Sequence, residues 1–316
     1  MKKNLQIIGA VIVLGLAVLF GDGFIPLKTS GYPLPVSKFT SWEDVFRHGG
    51  QFTLAAWETG RGLVASRASN LDADDARARA FPDSTEPIPM RAYYLNHPRW
   101  GSLLIDTGFD ASFSGPRHGN YNPLARIVAG LKRTRHLQDS GQSLNAHLAA
   151  APAQPSLVLF THLHFDHTAG LPALTGREQV VVGKGQLDFA SRALARHYLA
   201  RFSRIRELDM SQGQPMPPFA KAADVLGDGS LWAIATPGHT PGHLSYVAVT
   251  QEGPVLITGD ACMYHEALAR EVAPFSQYAW DRREARESLR QIKAFTKAYP
   301  FVRVLVGHDD PELPAP

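Results

Sequence analysis

The chain has 316 residues, 44% hydrophobic and 19% charged, enough for one large domain or two modest ones. Its net charge of +3 is spread along the chain and forms no basic patch of the kind that nucleic acid needs. A lone cysteine, Cys262, excludes an intramolecular disulfide and any cysteine-built zinc site, which leaves 13 histidines and the carboxylates as metal-capable groups.

Lys2 and Lys3 precede Leu5 to Phe20, a run with no charged residue. That order has the form of a secretory signal or signal anchor with its positive end inside. The run is somewhat short of the ~20 apolar residues of a spanning helix. No good Ala-x-Ala site follows it, and Gly21-Asp22-Gly23 is a weak substitute, so residues 1–23 read as a retained anchor more readily than as a cleaved peptide. Either reading exports the rest to the periplasm or another extracytoplasmic space, and the anchor reading adds a membrane contact through the N-terminal segment. Residues 24–45, with Pro26, Pro33 and Pro35, read as a linker or extended entry segment, and 46–316 as the working domain.

Gln51 to Trp57 reads as a first strand, and Asp72 to Pro87 as a loop with a helical turn. Met90 to Leu95 and Ser102 to Asp106 form a strand pair around a turn at Pro98 to Gly101. A Gly-, Ser- and Asn-rich loop over 109–122 follows, then a helix over Leu124 to Leu137 and a short one over Leu144 to Ala151. Strands are expected at 157–160 and Val180 to Val182, and a helix over Gln186 to Ile205 whose Arg192, Arg196 and Arg204 make a solvated basic face. Strands at Leu231 to Ala235, Leu244 to Val249 and Val255 to Thr258, an amphipathic helix over Arg282 to Lys297 and a strand at Phe301 to Val306 complete the chain. The alternation suggests an α/β fold of sheets covered by helices on the outside.

Residues 161–170 read Thr-His-Leu-His-Phe-Asp-His-Thr-Ala-Gly, with His162, His164, Asp166 and His167 packed behind an apolar strand. Imidazole and carboxylate are ligands that suit zinc and similar divalent metals. Other strand-like runs also end in a possible ligand: 231–235 leads to His239, 255–258 to Asp260 and 301–306 to His308. If these strands share a sheet edge, seven ligands converge. One metal would take His162, His164 and His239, and the other Asp166, His167 and His308. Asp260 would bridge them, because a carboxylate has two oxygens. Each metal would keep an open position for water, as catalytic sites do.

These pieces resemble the metallo-β-lactamase-fold hydrolase superfamily: His162-Leu-His164-Phe-Asp166-His167, His239 in a Pro-Gly-His setting, Gly259-Asp260, Gly307-His308 and the strand end Asp106-Thr107-Gly108. The resemblance covers about residues 46 to 310 and implies a four-layer αβ/βα sandwich with a dinuclear site in the cleft between its sheets. It also implies that Asp106 supports a ligand histidine from behind. Within the superfamily, the string with Thr236-Pro-Gly-His-Thr-Pro-Gly-His243 is most similar to the N-acyl-homoserine lactonases. Those enzymes carry a tyrosine three residues after the bridging Asp; here that position is Met263, and Tyr264 stands one place further on.

The ligand set implies two zinc ions, with other divalent metals possible, and a bridging hydroxide that opens a lactone or related ester. Asp166 is the candidate proton shuttle and Tyr264 a candidate carbonyl donor. His243 is expected to support the site from behind, and Cys262 to pack as a small hydrophobe. Asp260 stands where the cysteine-bearing β-lactamases have Cys. The acidic Asp309-Asp310-Pro-Glu312 tail departs from the basic grip of glutathione thioesterases, and His164 departs from the Glu of flavo-diiron proteins. A thioester or phosphoester hydrolase on the same fold is the nearest alternative. A catalytically silent, anchored binding protein is the alternative of another class.

Overall fold

A computed structural model describes residues 26–48, 50–64, 66–82, 85–115, 119–120, 136–190, 195–275 and 281–310. The N-terminal apolar run, Arg192 and residues 124–135 of the expected helix lie outside the described residues. Among those described, no helix is long and apolar enough to cross a membrane.

Fourteen strands are described: β1 (Thr29–Gly31), β2 (Thr53–Val64), β3 (Glu86–His97), β4 (Gly101–Ile105), β5 (His136–Leu137), β6 (Leu157–Leu159), β7 (Gln179–Gly183), β8 (Arg204–Leu208), β9 (Gln214–Met216), β10 (Phe219–Asp224), β11 (Leu231–Ala235), β12 (Leu244–Thr250), β13 (Gly253–Gly259) and β14 (Arg303–Val306). The helices that matter for packing are α1 (Trp42–Arg47), α2 (Leu144–Ala150), α3 (Phe165–Thr168), α4 (Gln186–Ala190), α5 (Ala195–Leu199), α6 (His265–Arg270) and α7 (Arg282–Ala298). One sheet has eight strands in the order β1-β8-β7-β6-β4-β3-β2-β5, and the other six in the order β14-β13-β12-β11-β10-β9.

The strand alternation sorts side chains into layers. Leu103 and Ile105 of β4 and Val181 of β7 face inward, where they meet Leu231 and Ala233 of β11 and Tyr246 and Ala248 of β12. Leu104, Val180 and Val182 face outward onto α2 and α5, through Leu144, Leu148, Tyr198 and Leu199. On the far side, Trp232 and Ile234 meet Leu289, Ile292 and Phe295 of α7 and Trp42 of α1. The result is helix, sheet, sheet, helix. Each large side chain buried this way contributes about 1.5–3 kcal/mol. Asp281 caps α7 by accepting from the backbone N–H groups of Arg283 and Glu284.

Four readings of the sequence change. From Pro26 on, the 24–45 stretch is packed onto the domain rather than standing off it: Phe39, Trp42 and Val45 are buried with the second sheet, and α1 starts within it at Trp42. The first strand does not stop at Trp57 but runs to Val64. Two glycines hide that half, and at Gly62 an added Cβ would stand 2.6 Å from the Met90 side chain of the neighbouring strand. The Gln186 to Ile205 helix is instead two short helices followed by β8, so Arg204 lies on a strand and the basic face is not one helix stripe. Lastly, His136 and Leu137, expected to end a helix, pair with Gly62 and Arg61 as β5. Strands β9 and β10 carried no clear signal.

The parallel pairs set the site. β4 and β6 run parallel, as do β13 and β14, so the residues after each pair leave from one edge. The Leu244 N–H donates to the Thr161 carbonyl at 2.8 Å, and the Tyr246 hydroxyl to the Phe160 carbonyl at 2.9 Å, which ties the two edges together. Two glycines allow the approach. Gly259 has φ +52, and a Cβ on it would stand 2.7 Å from Thr161; one on Gly307 would stand 2.6 Å from the Asp260 carboxylate.

Candidate metal centre

The loop after β6 delivers His162, then His164 at the N-cap position of α3, with Asp166 and His167 inside that one-turn helix. His239 sits in the loop between β11 and β12, Asp260 directly after β13 and His308 two residues after β14. The structure brings all seven together. His162, His164, His239 and Asp260 form one group and Asp166, His167, Asp260 and His308 another, with ligand atoms inside each group within 4.8 Å of one another.

Asp260 faces both groups with different oxygens. Oδ2 lies 3.2 Å from His239 Nε2 and 3.7 Å from His162 Nε2. Oδ1 lies 3.3 Å from His167 Nε2 and 3.2 Å from His308 Nε2. Asp166 Oδ2 completes the second group, 3.4 Å from His308 Nε2 and 3.7 Å from His167 Nε2. In the first group His164 Nδ1 stands 2.9 Å from His162 Nε2 and 3.0 Å from His239 Nε2.

The hydrogen bonds behind the rings decide which nitrogen is free. Asp106 Oδ2 lies 2.7 Å from His167 Nδ1, so His167 donates there and turns an unprotonated Nε2 to the centre. The Thr161 hydroxyl spends its proton on the same Asp106 oxygen at 2.7 Å, so it accepts from His162 Nδ1 at 3.1 Å. The Pro89 carbonyl accepts from His308 Nδ1 at 3.1 Å. Three rings thus present lone pairs inward. Asp106 itself sits at φ +56, a left-handed conformation that Asp tolerates better than most residues. Its other oxygen accepts from the Thr161 N–H at 2.8 Å.

This donor set fits divalent cations. His167 Nε2 and Asp260 Oδ1 are buried without any hydrogen-bond partner, although they face each other. Converging lone pairs and buried carboxylate oxygens are costly unless a cation satisfies them. Tetrahedral nitrogen and oxygen ligation of zinc suits both groups, with Asp260 shared.

Tyr264 stands at the N-cap position of α6 with no exposed surface. Its oxygen accepts from Asn70 Nδ2 at 2.9 Å, and the Arg67 guanidinium lies 4.9 Å from its ring centre. Burial pushes its phenol up, so it stays protonated. Arg67 is held in turn by Glu86 at 2.8 Å and by Asp309 at 2.6 Å. Asn70, Arg67 and Asp309 were missed in the sequence; the first two sit in an aperiodic segment between β2 and β3 where nothing marks them. Cys262 is buried among apolar side chains, and burial pushes its thiol up. Met263 is buried beside Tyr264.

Residues 92–308 match the profile of the Metallo-beta-lactamase superfamily. The chain belongs to that superfamily. This hydrolase is 26% identical to the N-acyl homoserine lactonase AttM of Azorhizobium caulinodans over 236 residues, 72% of this chain and 84% of that one. It is 26% identical to the N-acyl homoserine lactonase AiiA of Bacillus thuringiensis subsp. kurstaki over 247 residues, 76% and 88% of the two chains. Among solved structures, an N-acyl homoserine lactone hydrolase with N-hexanoyl-L-homoserine at its catalytic metal centre matches with a TM-score of 0.59 and 23% identity, over 81% of this chain and 92% of that one. AidC, a dizinc quorum-quenching lactonase, matches with a TM-score of 0.51 and 13% identity, over 82% and 88%. The structural likenesses bear on the fold, and the four layers are the metallo-β-lactamase arrangement. Family and homologues together support a metal-dependent ester hydrolase.

Proposed function

We propose that this hydrolase holds two zinc ions and opens a lactone or closely related ester, with N-acyl-homoserine lactones the leading substrate class. The observation that carries the reading is Asp260, whose two oxygens face two separate ligand groups. The lactonase relatives supply the substrate class. When bound, such ions polarise a carbonyl and bring the pKa of a water near neutrality.

The chain's own residues do the rest. His162, His167 and His308 are locked in the tautomers that leave Nε2 free for a metal. Asp166 is the least buried carboxylate of the centre, with a 24% exposed side chain. It takes up the proton released by the attacking water and returns it to the leaving alkoxide oxygen. Tyr264, buried and neutral with its oxygen fixed by Asn70, is the candidate O–H donor to the substrate carbonyl.

We further propose that the chain is exported and tethered by its N-terminus, on the strength of Lys2, Lys3 and the charge-free run to Phe20. Fractionation of cells expressing the full chain tests this, and recovery from the cytosol would contradict it. For the activity, the zinc-loaded protein is assayed against lactones, aryl esters, thioesters, phosphodiesters and β-lactams. Lactone opening at the highest kcat/KM is expected. Preference for a thioester or phosphoester would replace the substrate class, and no hydrolysis of any member would overturn the enzyme reading.

A further inference from the structure

We infer that His243 is a positioning residue, which holds the metal ligand His239 through a buried relay anchored on the β-sheet backbone. The relay starts at the Thr258 carbonyl in β13, which accepts the Ser245 hydroxyl proton at 2.8 Å. Ser245 Oγ is 2.9 Å from Thr236 Oγ1. With its own proton spent, Ser245 accepts, so Thr236 is the donor. Thr236 Oγ1 is also 2.9 Å from His243 Nδ1, and with its proton spent it must accept there. His243 therefore carries its proton on Nδ1 and has a lone pair on Nε2.

That lone pair is buried and without a hydrogen-bond partner, and so is Nδ1 of His239. In the proposed two-metal site His239 ligates through Nε2, which puts a proton on Nδ1. One orphan is then a donor and the other an acceptor. The rings lie 6.2 Å apart at 88°, with no direct bond between them. A single buried water between Nδ1–H and Nε2 would satisfy both atoms. The chain of hydroxyls does for His239 what the Asp106 carboxylate does for His167, without adding charge.

The inference rests on the two-metal reading, and its test separates the two. Proton-coupled nitrogen NMR of histidine-labelled, metal-free protein reads the tautomer directly, and the Nδ1–H form of His243 is expected. An Nε2–H form would overturn the relay and leave the two-metal reading standing. Chelator competition then measures zinc affinity. Thr236→Val should weaken the ion held by His239 about 10–100-fold, and Thr236→Ser should restore it. Wild-type affinity in a folded T236V, checked by its melting temperature, would overturn the relay. So would failure of T236S to restore affinity. If the wild-type chain binds no zinc while its His243 shows the Nδ1–H tautomer, the two-metal reading fails instead.

Discussion

The two ligand groups share Asp260 but differ in charge and in what stands behind them. The first sets the nitrogens of His162 and His239 against His164 Nδ1, at 2.9 and 3.0 Å, with a single carboxylate oxygen nearby. The second sets two imidazoles between two carboxylates at 3.2 to 3.7 Å, with Asp106 directly behind His167. Burial pushes His162 and His164 well below their ordinary pKa, and neighbouring histidines push the same way. At His167 burial also disfavours the charge, but Asp106, Asp166 and Asp260 outweigh it and the ring is raised well above its ordinary value. His308 is raised for the same reason, with Asp260 prevailing over burial. Asp260 is held well below the usual carboxylate range: burial opposes its charge, and His308, His167 and His162 overcome that. The lesson is that burial keeps protons off the rings of the first group, while the carboxylates around the second raise the proton affinity of its rings, so that protons compete more strongly with a metal there as pH falls.

The largest break in this comparison is Asp260→Ala, which removes an oxygen from both groups. Activity should fall to near background, and metal content from two per chain to about one or fewer; full activity in a folded D260A would contradict the bridge. Asp106→Asn separates the groups. It keeps the shape behind His167 but removes the charge, and should weaken the second metal about 10–100-fold while leaving the first unchanged in the same chelator titration. Equal weakening at both would mean that the groups are not independent.

Acid should separate them as well. Groups with raised pKa values gain protons first as pH falls, so His167 and His308 are protonated before His162 and His164. Protonated imidazole cannot ligate, so metal affinity of the second group drops first as pH falls, and the first group follows at lower pH. Metal content measured after equilibration across pH should show an intermediate with one ion. Simultaneous loss of both would remove the distinction. The smallest expected effect is Tyr264→Phe, which removes one hydrogen-bond donor and should lower kcat roughly tenfold with metal content unchanged. An unchanged kcat would place Tyr264 among packing residues only.

The seven residues of the two groups were legible in the sequence because ligation demands particular residue types, and here those types recur at strand ends. The strands that carry them were legible too, since β6, β11, β13 and β14 are apolar runs with clear ends. What lay hidden was set by partners distant in sequence. The second half of β2 is masked by Gly60 and Gly62, whose role is close approach to other parts of the chain, and β8 by charges suited to a strand near the sheet edge. Arg67 and Asn70 acquire meaning only when Tyr264, about 200 residues later, is folded against them (194 residues separate Asn70 from Tyr264). The tautomers likewise depend on Pro89, Thr161 and Asp106, which touch their histidines only in the folded chain.

The central claim is that one carboxylate joins two metals. Anomalous diffraction at the zinc edge, on crystals of the zinc-loaded hydrolase, tests it most directly. Two peaks are expected, one among His162, His164 and His239 and one among Asp166, His167 and His308, with Asp260 giving one oxygen to each. A single peak, or two ions with Asp260 bound to only one, would contradict the account.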